Sequence, residues 1–291
     1  MSDSIQQGET WPGFEKLKHL VIFGDSYSQV GYNSQEPRPS ANNPLGVAFP
    51  GITWNEPNQP NWIGHLIKKH APAPLLVFDY ARGGDNVSGV RWQVRREFLQ
   101  YLAPKPRWAR WSEYDTLFIT WVGINDCAFA NAETVPKFVA ELFDLQDELY
   151  NAGARNFLLV DLPPIHRSPA GNKPKSLQLP SRQPSCELWN IYLKEGAAQF
   201  ASSHPLSTVL IYSSWETFSK AMDNPTAFGF ETEDVRKAGG GMWVDRLHPT
   251  SKMHDLVARD LAQFLQDVMA HPAAVAATAG SSNAGSAAAA A

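Results

Sequence analysis

Short apolar runs alternate along the chain with longer stretches in which apolar residues recur at helical spacing. Five runs have the length of strands, and they occupy residues 19–23, 75–81, 116–123, 156–162 and 208–212. Each run is almost continuously apolar, which is typical of strands buried on both faces of a parallel sheet. The pattern therefore predicts five strands in the middle of a layered α/β structure.

The amphipathic stretches between these runs predict helices. They occupy residues 61–70, 90–102, 135–153, 186–200 and 251–268. Gly153 is the last residue of the third stretch, where a glycine commonly ends a helix. Strands that alternate with helices in this way are typical of one doubly wound α/β domain. We predict such a domain over residues 19–270, preceded by an N-terminal arm, residues 1–18.

Two polar, proline-rich segments interrupt this alternation, at residues 31–60 and 165–184. Both are long for connections inside a compact domain, and long ordered loops commonly cover a functional site. Residues 271–291 consist mainly of alanine, serine and glycine. Such a segment has too few large apolar side chains to offset its ordering entropy, so we predict a disordered tail there.

The composition of the chain does not favour binding to nucleic acid or to an anionic membrane. The 291 residues are 43% hydrophobic and 19% charged, with a net charge of −4, which gives no general attraction to nucleic acid or to an anionic membrane. The basic and aromatic stretch at 105–111 is interpreted as a solvated loop before a strand. Cys127 and Cys186 form neither a disulfide framework nor a metal-binding spacing.

The chain offers no apolar run long enough to span a membrane, so no membrane insertion is expected. Its first 20 residues also lack the basic and apolar regions of a secretory signal. These features predict a cytoplasmic protein, or a secreted one whose leader has been removed.

Three residues near the two ends of the predicted domain suggest nucleophilic catalysis. The first strand ends directly in Gly24, Asp25 and Ser26, and a serine at the carboxyl end of a parallel strand faces the crevice where such sheets bind ligands. Asp245 precedes His248 by three residues, an offset that no other Asp–His pair in the chain has. This spacing can place a carboxylate beside the imidazole Nδ1 and leave Nε2 for the serine. The set predicts a nucleophile, a base and an orienting carboxylate.

Donors for an oxyanion are predicted after the second and third strands. Gly83 and Gly84 permit a tight turn with an outward N–H, and Asn125 offers a side-chain amide. Each signal alone has an ordinary explanation, because glycines turn chains and asparagines cap helices. Their shared position at the ends of successive parallel strands places them around one crevice.

These blocks resemble the SGNH, or GDSL-type, hydrolases over about residues 19–269. The matching segments are GDS at 24–26, the glycine of ARGGDN, GIND at 123–126 and DRLH at 245–248. The spellings FGDSYSQVGYN and DRLHPT look closest to fungal GDSL acetylesterases of carbohydrate esterase family 16. The resemblance implies a flavodoxin-like, doubly wound three-layer sandwich with about five parallel strands in the order 2-1-3-4-5.

The resemblance also implies the role of each candidate site residue. Ser26 would be the nucleophile, His248 the base and Asp245 its partner. The oxyanion donors would be the backbone N–H groups of Ser26 and Gly84 and the Nδ2 of Asn125. Gly84 is preferred to its neighbour because the small-x-x-Gly-Asp pattern of the family aligns around it.

The expected function is that of a carboxylic-ester hydrolase that removes short acyl groups, acetyl above all, from a sugar or another small alcohol through an acyl-Ser26 intermediate. No metal or organic cofactor is required. The long loops contain no sustained amphipathic helix that would serve as the lid of a lipase. Three alternatives remain open: a lipase or lysophospholipase, an acyltransferase with the same triad, and a non-catalytic carbohydrate-binding relative.

Several aromatic residues lie within or beside the motif-bearing segments. Trp54, Trp62, Trp121 and Trp243 are candidates for a stacking wall beside the site, although core packing is the ordinary role of a tryptophan. His254 follows His248 by six residues and is interpreted as a residue on the surface of the last helix.

Overall fold

A six-stranded sheet forms the centre of the computed structural model, which describes residues 1–35, 37–171 and 183–276. The strands are β1 (Asp3–Gln6), β2 (His19–Gly24), β3 (Leu76–Asp79), β4 (Thr116–Trp121), β5 (Asn156–Val160) and β6 (Thr208–Tyr212). Their order across the sheet is β1-β6-β5-β4-β2-β3, and all are parallel except β1. The five predicted strands therefore have the predicted flavodoxin-like order, and β1 extends the sheet by one edge strand.

Strand β2, which leads into Ser26, lies inside the sheet. It pairs with β3 on one side and with β4 on the other. Every residue of β2 and β4 is buried. Because backbone ladders on both edges and side-chain packing on both faces hold β2, the turn that follows it starts from a rigid position.

The helices form two groups. They are α1 (Trp62–His65), α2 (Val87–Trp92), α3 (Val135–Asn151), α4 (Gln183–Ser203), α5 (Ser214–Asp223) and α6 (Ser251–Asp267), with π-helical continuations of α1 over 66–70 and of α2 over 93–102. Helix α3 packs against α2 and α4, whereas α6 packs against α1 and α5, so the two groups form the outer layers of the sandwich. Helix α5 was not predicted.

Residues 1–18, the predicted N-terminal arm, are integrated into the packed structure. Strand β1 pairs antiparallel with β6, and Trp11, Phe14 and Leu17 are buried. The arm thus contributes both to the sheet edge and to the core.

The predicted start of the disordered tail, at residue 271, is wrong for its first residues. A helical turn spans 272–276, the N–H of His271 donates to the Trp11 carbonyl at 2.9 Å, and Ala274 is fully buried. Composition alone missed this contact because the acceptor for His271 is in the N-terminal arm, at the other end of the chain. Residues 277–291 lie outside the described ranges, and the tail remains a prediction for them.

Residues 105–111 form irregular structure before β4, as predicted, but the segment is not solvated throughout, because Ala109 and Trp111 are buried. Cys127 and Cys186 are buried free thiols. Among the helices that the structure describes, none is long and apolar enough to cross a membrane.

Candidate active site

The structure brings Ser26, His248 and Asp245 together. Ser26 follows β2 directly, and its Oγ lies 3.0 Å from Nε2 of His248. On the other side of the imidazole, Nδ1 lies 2.7 Å from Oδ2 of Asp245. This chain of hydrogen bonds has the geometry by which an imidazole takes a proton from a hydroxyl while a carboxylate orients it.

The carboxylate of Asp245 is fixed by its own loop. Its Oδ1 accepts the backbone N–H groups of Leu247 and His248, both at 2.7 Å. Partial burial raises the pKa of Asp245, but the hydrogen bonds from the His248 side chain and from these two N–H groups outweigh it and lower the pKa below its ordinary value. An ionised Asp245 holds Nδ1 as a donor, which leaves Nε2 free to accept a proton.

The loop that carries His248 is hydrogen-bonded to the loop of Ser26 and to the start of α6. The hydroxyl of Tyr27, the residue after Ser26, donates to the Leu247 carbonyl at 2.7 Å. Thr250 caps α6 by accepting the N–H of Met253, and its hydroxyl donates to the Gly241 carbonyl at 2.7 Å. His248 is therefore positioned by the turn that carries Ser26 and by the start of a long helix.

Gly84 presents a free backbone donor. Its φ of +83° lies in the left-handed region that favours glycine, and a Cβ there would meet no atom within 4 Å, so the residue faces open space. The N–H of Gly83 donates to Oε1 of Gln29 at 2.6 Å. Among the described residues, the N–H groups of Gly84 and Ser26 have no acceptor. This arrangement supports Gly84, rather than Gly83, as an oxyanion donor.

Asn125 is oriented towards the glycine loop. Its Nδ2 donates to the Asp85 carbonyl at 2.8 Å, directly after Gly84 in the chain. An amide nitrogen carries two hydrogens, so this bond fixes the side chain and leaves the second hydrogen for an oxyanion.

An acidic residue adjoins each element of the candidate site: Asp25 precedes Ser26, Asp85 follows Gly84, and Asp126 follows Asn125. Burial raises the pKa of Asp25 to about 7 and that of Asp126 to about 6, and it also raises the pKa of Asp85. Because these folded-state pKa values lie above the unfolded value of 3.8, the protonated groups favour the fold. Their contribution is fully present below the unfolded pKa and is lost as the pH rises from there through about 6 for Asp126 and about 7 for Asp25. Within the described ranges, no three His, Cys, Asp or Glu side chains are grouped to hold a metal.

Two glutamines that were not predicted as site residues connect the loops that carry Ser26 and Gly84. Gln93 accepts the Gly24 N–H at 3.0 Å, and its Nε2 donates to the Gly24 carbonyl at 2.8 Å and to Asp85 at 2.7 Å. Gln29 joins the nucleophile loop to Gly83. A single glutamine is common on helices and in loops, so only the distances identify these two.

One of the four candidate tryptophans contacts the proposed catalytic residues. Trp62, Trp121 and Trp243 are buried in the core, whereas Trp54 is 46% exposed. The Trp54 ring stacks on His248 with a centroid distance of 4.9 Å and an interplanar angle of 26°. Residues 31–60, predicted to lie over a site, thus contribute one aromatic contact. The other predicted loop, 165–184, falls largely outside the described residues.

The interpretation of His254 as a surface residue is wrong. It is 3% exposed in α6, and its ring packs edge-to-face with Tyr27 at 6.0 Å. Burial lowers its pKa to about 3, with nearby His65 and His248 acting in the same direction, so it is neutral. The prediction failed because the buried face of α6 is wider than its apolar stripe. This face includes the polar His254 together with Met253 and Val257.

The chain is similar to known proteins over most of its length. A family model described as GDSL-like Lipase/Acylhydrolase matches residues 20–261. An acetylesterase of Thermothelomyces thermophilus is 30% identical over 267 residues, which cover 84% of this chain and 87% of that relative. A phosphatidylcholine-sterol acyltransferase of Aeromonas hydrophila is 25% identical, over 82% of this chain and 70% of that protein. The solved structure of an acetyl-xylooligosaccharide esterase of Geobacillus has the same fold, with a TM-score of 0.53 and 16% identity over 85% of this chain and 94% of that one.

Proposed function

The chain belongs to the GDSL-like lipase/acylhydrolase family and hydrolyses ester bonds, and from this premise we propose that it removes short acyl groups, acetyl above all, from a sugar or another small alcohol. The observation that carries the mechanism is the hydrogen-bonded series from Ser26 Oγ through His248 to Asp245, with distances of 3.0 and 2.7 Å. The reaction runs through an acyl-Ser26 intermediate.

In the first half-reaction, Ser26 Oγ attacks the ester carbonyl carbon while Nε2 of His248 takes the hydroxyl proton. Asp245 stabilises the imidazolium that forms. The carbonyl oxygen becomes an oxyanion that accepts hydrogen bonds from the N–H groups of Ser26 and Gly84 and from Asn125 Nδ2. When the carbon–oxygen bond to the alcohol breaks, His248 returns the proton to the leaving alcohol.

In the second half-reaction, water replaces the alcohol. His248 takes a proton from the water as it attacks the acyl carbon, and the same donors hold the second oxyanion. The bond to Ser26 Oγ then breaks, Ser26 regains its proton from His248, and the carboxylic acid leaves. Every proton is moved by one imidazole.

The preference for short acyl groups has two supports. The relative with 30% identity is an acetylesterase. In addition, the part of the 31–60 loop that the structure describes has no helix, so it supplies no amphipathic lid. A long-chain lipase gains affinity by burying methylenes, each worth about 0.8 kcal/mol, and needs an apolar groove for them.

We expect kcat/KM to be highest for acetate in a series of p-nitrophenyl esters from acetate to palmitate, and to fall beyond butyrate. In an apolar groove each added methylene would instead raise it about fourfold. The same assay on acetylated xylooligosaccharides and on triacetin compares a sugar with a small polyol as the alcohol part. An optimum at eight carbons or more would favour the lipase or lysophospholipase alternative.

Acyl transfer is a second candidate, because one relative is named as an acyltransferase. The acyl-Ser26 intermediate would be the same, but an alcohol would replace water in the second half-reaction. Adding glycerol or xylose to the p-nitrophenyl acetate assay and measuring the acetylated product against free acetate distinguishes the two. Transfer products in excess of acetate would support the transferase.

Asn125→Ala is expected to lower kcat by about 100- to 1,000-fold with a small change in KM, because an oxyanion donor binds charge that exists only in the transition state. Asn131→Ala is a matched control. Asn131 belongs to the same loop after β4, but its side chain accepts the N–H groups of Glu133 and Thr134 and so serves a turn. Steady-state kinetics on p-nitrophenyl acetate measures both variants. An effect of Asn125→Ala on KM alone would make that residue a positioning group for the glycine loop.

A further inference from the structure

We propose that Trp54 and Gln29 form a positioning bridge that holds the base, His248, and the glycine loop, Gly83 and Gly84, in one arrangement. The inference rests on the proposed function, since it assigns a role relative to the triad. Neither residue was predicted to belong to the triad or to the oxyanion donors, although Gln29 lies within FGDSYSQVGYN and Trp54 was a candidate for a stacking wall. The role of each residue depends on contacts between loops that are far apart in the chain.

The first contact is between Trp54 and the base. The indole stacks on the imidazole at 4.9 Å, and the imidazole edge is held by Asp245 and Ser26. Only 13% of the His248 side chain is exposed, and the indole is one of the groups that cover the ring. The two hydrogen bonds hold the imidazole at its edge, within the plane of the ring. The indole contacts the face of the ring and so restricts its tilt out of that plane.

The second contact is between Trp54 and the glycine loop. A Cβ built on Gly83 would lie 2.5 Å from three indole atoms, Nε1, Cε2 and Cζ2. Gly83 therefore lies directly against the ring, and any side chain at this position would push the indole away. The same ring thus contacts the base and the oxyanion loop.

The third contact is made by Gln29. Its Oε1 accepts the Gly83 N–H at 2.6 Å and the Trp54 indole N–H at 3.1 Å, and its Nε2 donates to the Ile52 carbonyl at 3.3 Å. The backbone N–H of Gln29 donates to the Asp25 carbonyl, which belongs to the nucleophile turn. One amide therefore links the nucleophile turn, the glycine loop and the loop of Trp54.

The bridge has two chemical consequences. By occupying the Gly83 N–H, Gln29 leaves Gly84 as the glycine whose N–H is free for the oxyanion. By stacking on His248, Trp54 places an aromatic face against the ring that becomes an imidazolium in the transition state. Such a cation–π contact is worth roughly 3- to 30-fold in rate when it forms only in the transition state.

We expect Trp54→Leu to lower kcat about 10- to 30-fold, with KM changed less than about threefold, because the stack acts on the transition state. Trp54→Phe keeps an aromatic face and should recover most of the loss. Gln29→Met keeps the length of the side chain but removes the acceptor, and should lower kcat. The double variant Trp54→Phe/Gln29→Met should be no worse than Gln29→Met alone, because both changes remove the same hydrogen bond.

Tyr101→Ala is the matched control. Tyr101 is an aromatic residue 41% exposed, against 46% for Trp54, and lies at the far end of the helix that continues α2. Its loss should leave kcat and KM unchanged. Melting temperatures of all variants separate a loss of folded protein from a loss of rate, and kcat is calculated per active site titrated with a fluorophosphonate.

Fluorescence supplies a readout that a purely structural role would not move. A protonated imidazole quenches an indole stacked on it, so the emission that Trp54 contributes should fall on acidification. This contribution is the difference in emission between the wild type and Trp54→Phe. In a His248→Ala background the difference should lose this pH dependence.

Two results would overturn the bridge. An increase in KM at constant kcat in the Trp54 variants would make the indole a stacking surface for substrate, and unchanged kinetics in Trp54→Leu and Gln29→Met would remove the role altogether. Ser26→Ala is measured in parallel. If it keeps its activity, the proposed function itself fails; if it is inactive while Trp54→Leu is normal, only the bridge fails.

Discussion

Ser26→Ala is expected to abolish ester hydrolysis and to leave the fold intact. Loss of the nucleophile in a serine hydrolase lowers kcat by about a million-fold, because neither the base nor the oxyanion donors replace the covalent step. The hydroxyl bonds to His248 at the end of β2, and its removal leaves the sheet ladders unchanged. Kinetics on p-nitrophenyl acetate measures the loss, and the melting temperature measures the fold.

Ser28→Ala is the control for this experiment. Ser28 lies two residues further along the same turn, but it is fully buried and its Oγ accepts the indole N–H of Trp62 at 3.2 Å. Its loss should reduce stability by about 1–3 kcal/mol, the cost of a buried donor left without an acceptor. A fluorophosphonate should label Ser26 in the wild type and in Ser28→Ala, and should not label Ser26→Ala. Labelling of any other serine would contradict the assignment of the nucleophile.

Asp245→Asn is expected to lower kcat by about 10,000-fold. The carboxylate accepts two backbone N–H groups on Oδ1, so the oxygen of an asparagine would take that position and its NH₂ would face Nδ1 of His248. Nδ1 would then have to accept a hydrogen bond, and the imidazole proton would move to Nε2, which faces Ser26. In this tautomer His248 cannot take the serine proton.

The control for the tautomer argument is another Asp–His pair. Asp255 lies 2.7 Å from Nε2 of His70 on the surface side of α6, outside the triad. Asp255→Asn should leave kcat unchanged. Nitrogen chemical shifts of the His248 ring would report the tautomer directly, and near-normal rates in Asp245→Asn would mean that another group orients the base.

Because hydrogen bonds lower the pKa of Asp245 below that of the unfolded chain, its contribution to stability is present at neutral pH and is lost as the pH falls through the carboxyl range.

The elements that were predicted correctly are those whose signal is local. Strands β2, β4, β5 and β6 are continuous apolar runs, and the long helices have an apolar stripe, so a short window of sequence contains the evidence for each. The polar edge strand β1, with the sequence DSIQ, has no such signal, because its strand geometry depends on pairing with β6. The order of residues 271–276 was missed for a similar reason, since the N–H of His271 bonds to Trp11 in the N-terminal arm.

The sequence by itself determined the five buried parallel strands, the candidate nucleophile at Ser26 and the Asp245–His248 pair, because each of these signals lies within a few neighbouring residues. The order of the strands was implied by the resemblance of the short motifs to a known family. Only the tertiary structure decided which glycine N–H is free, that His254 is buried, and that Trp54 stacks on His248 while three other tryptophans lie in the core. These features depend on contacts between loops that meet only when the parallel strands bring their carboxyl ends to one edge of the sheet. A side chain such as Gln29 has no pattern of its own, and its role is defined by the distances that folding creates.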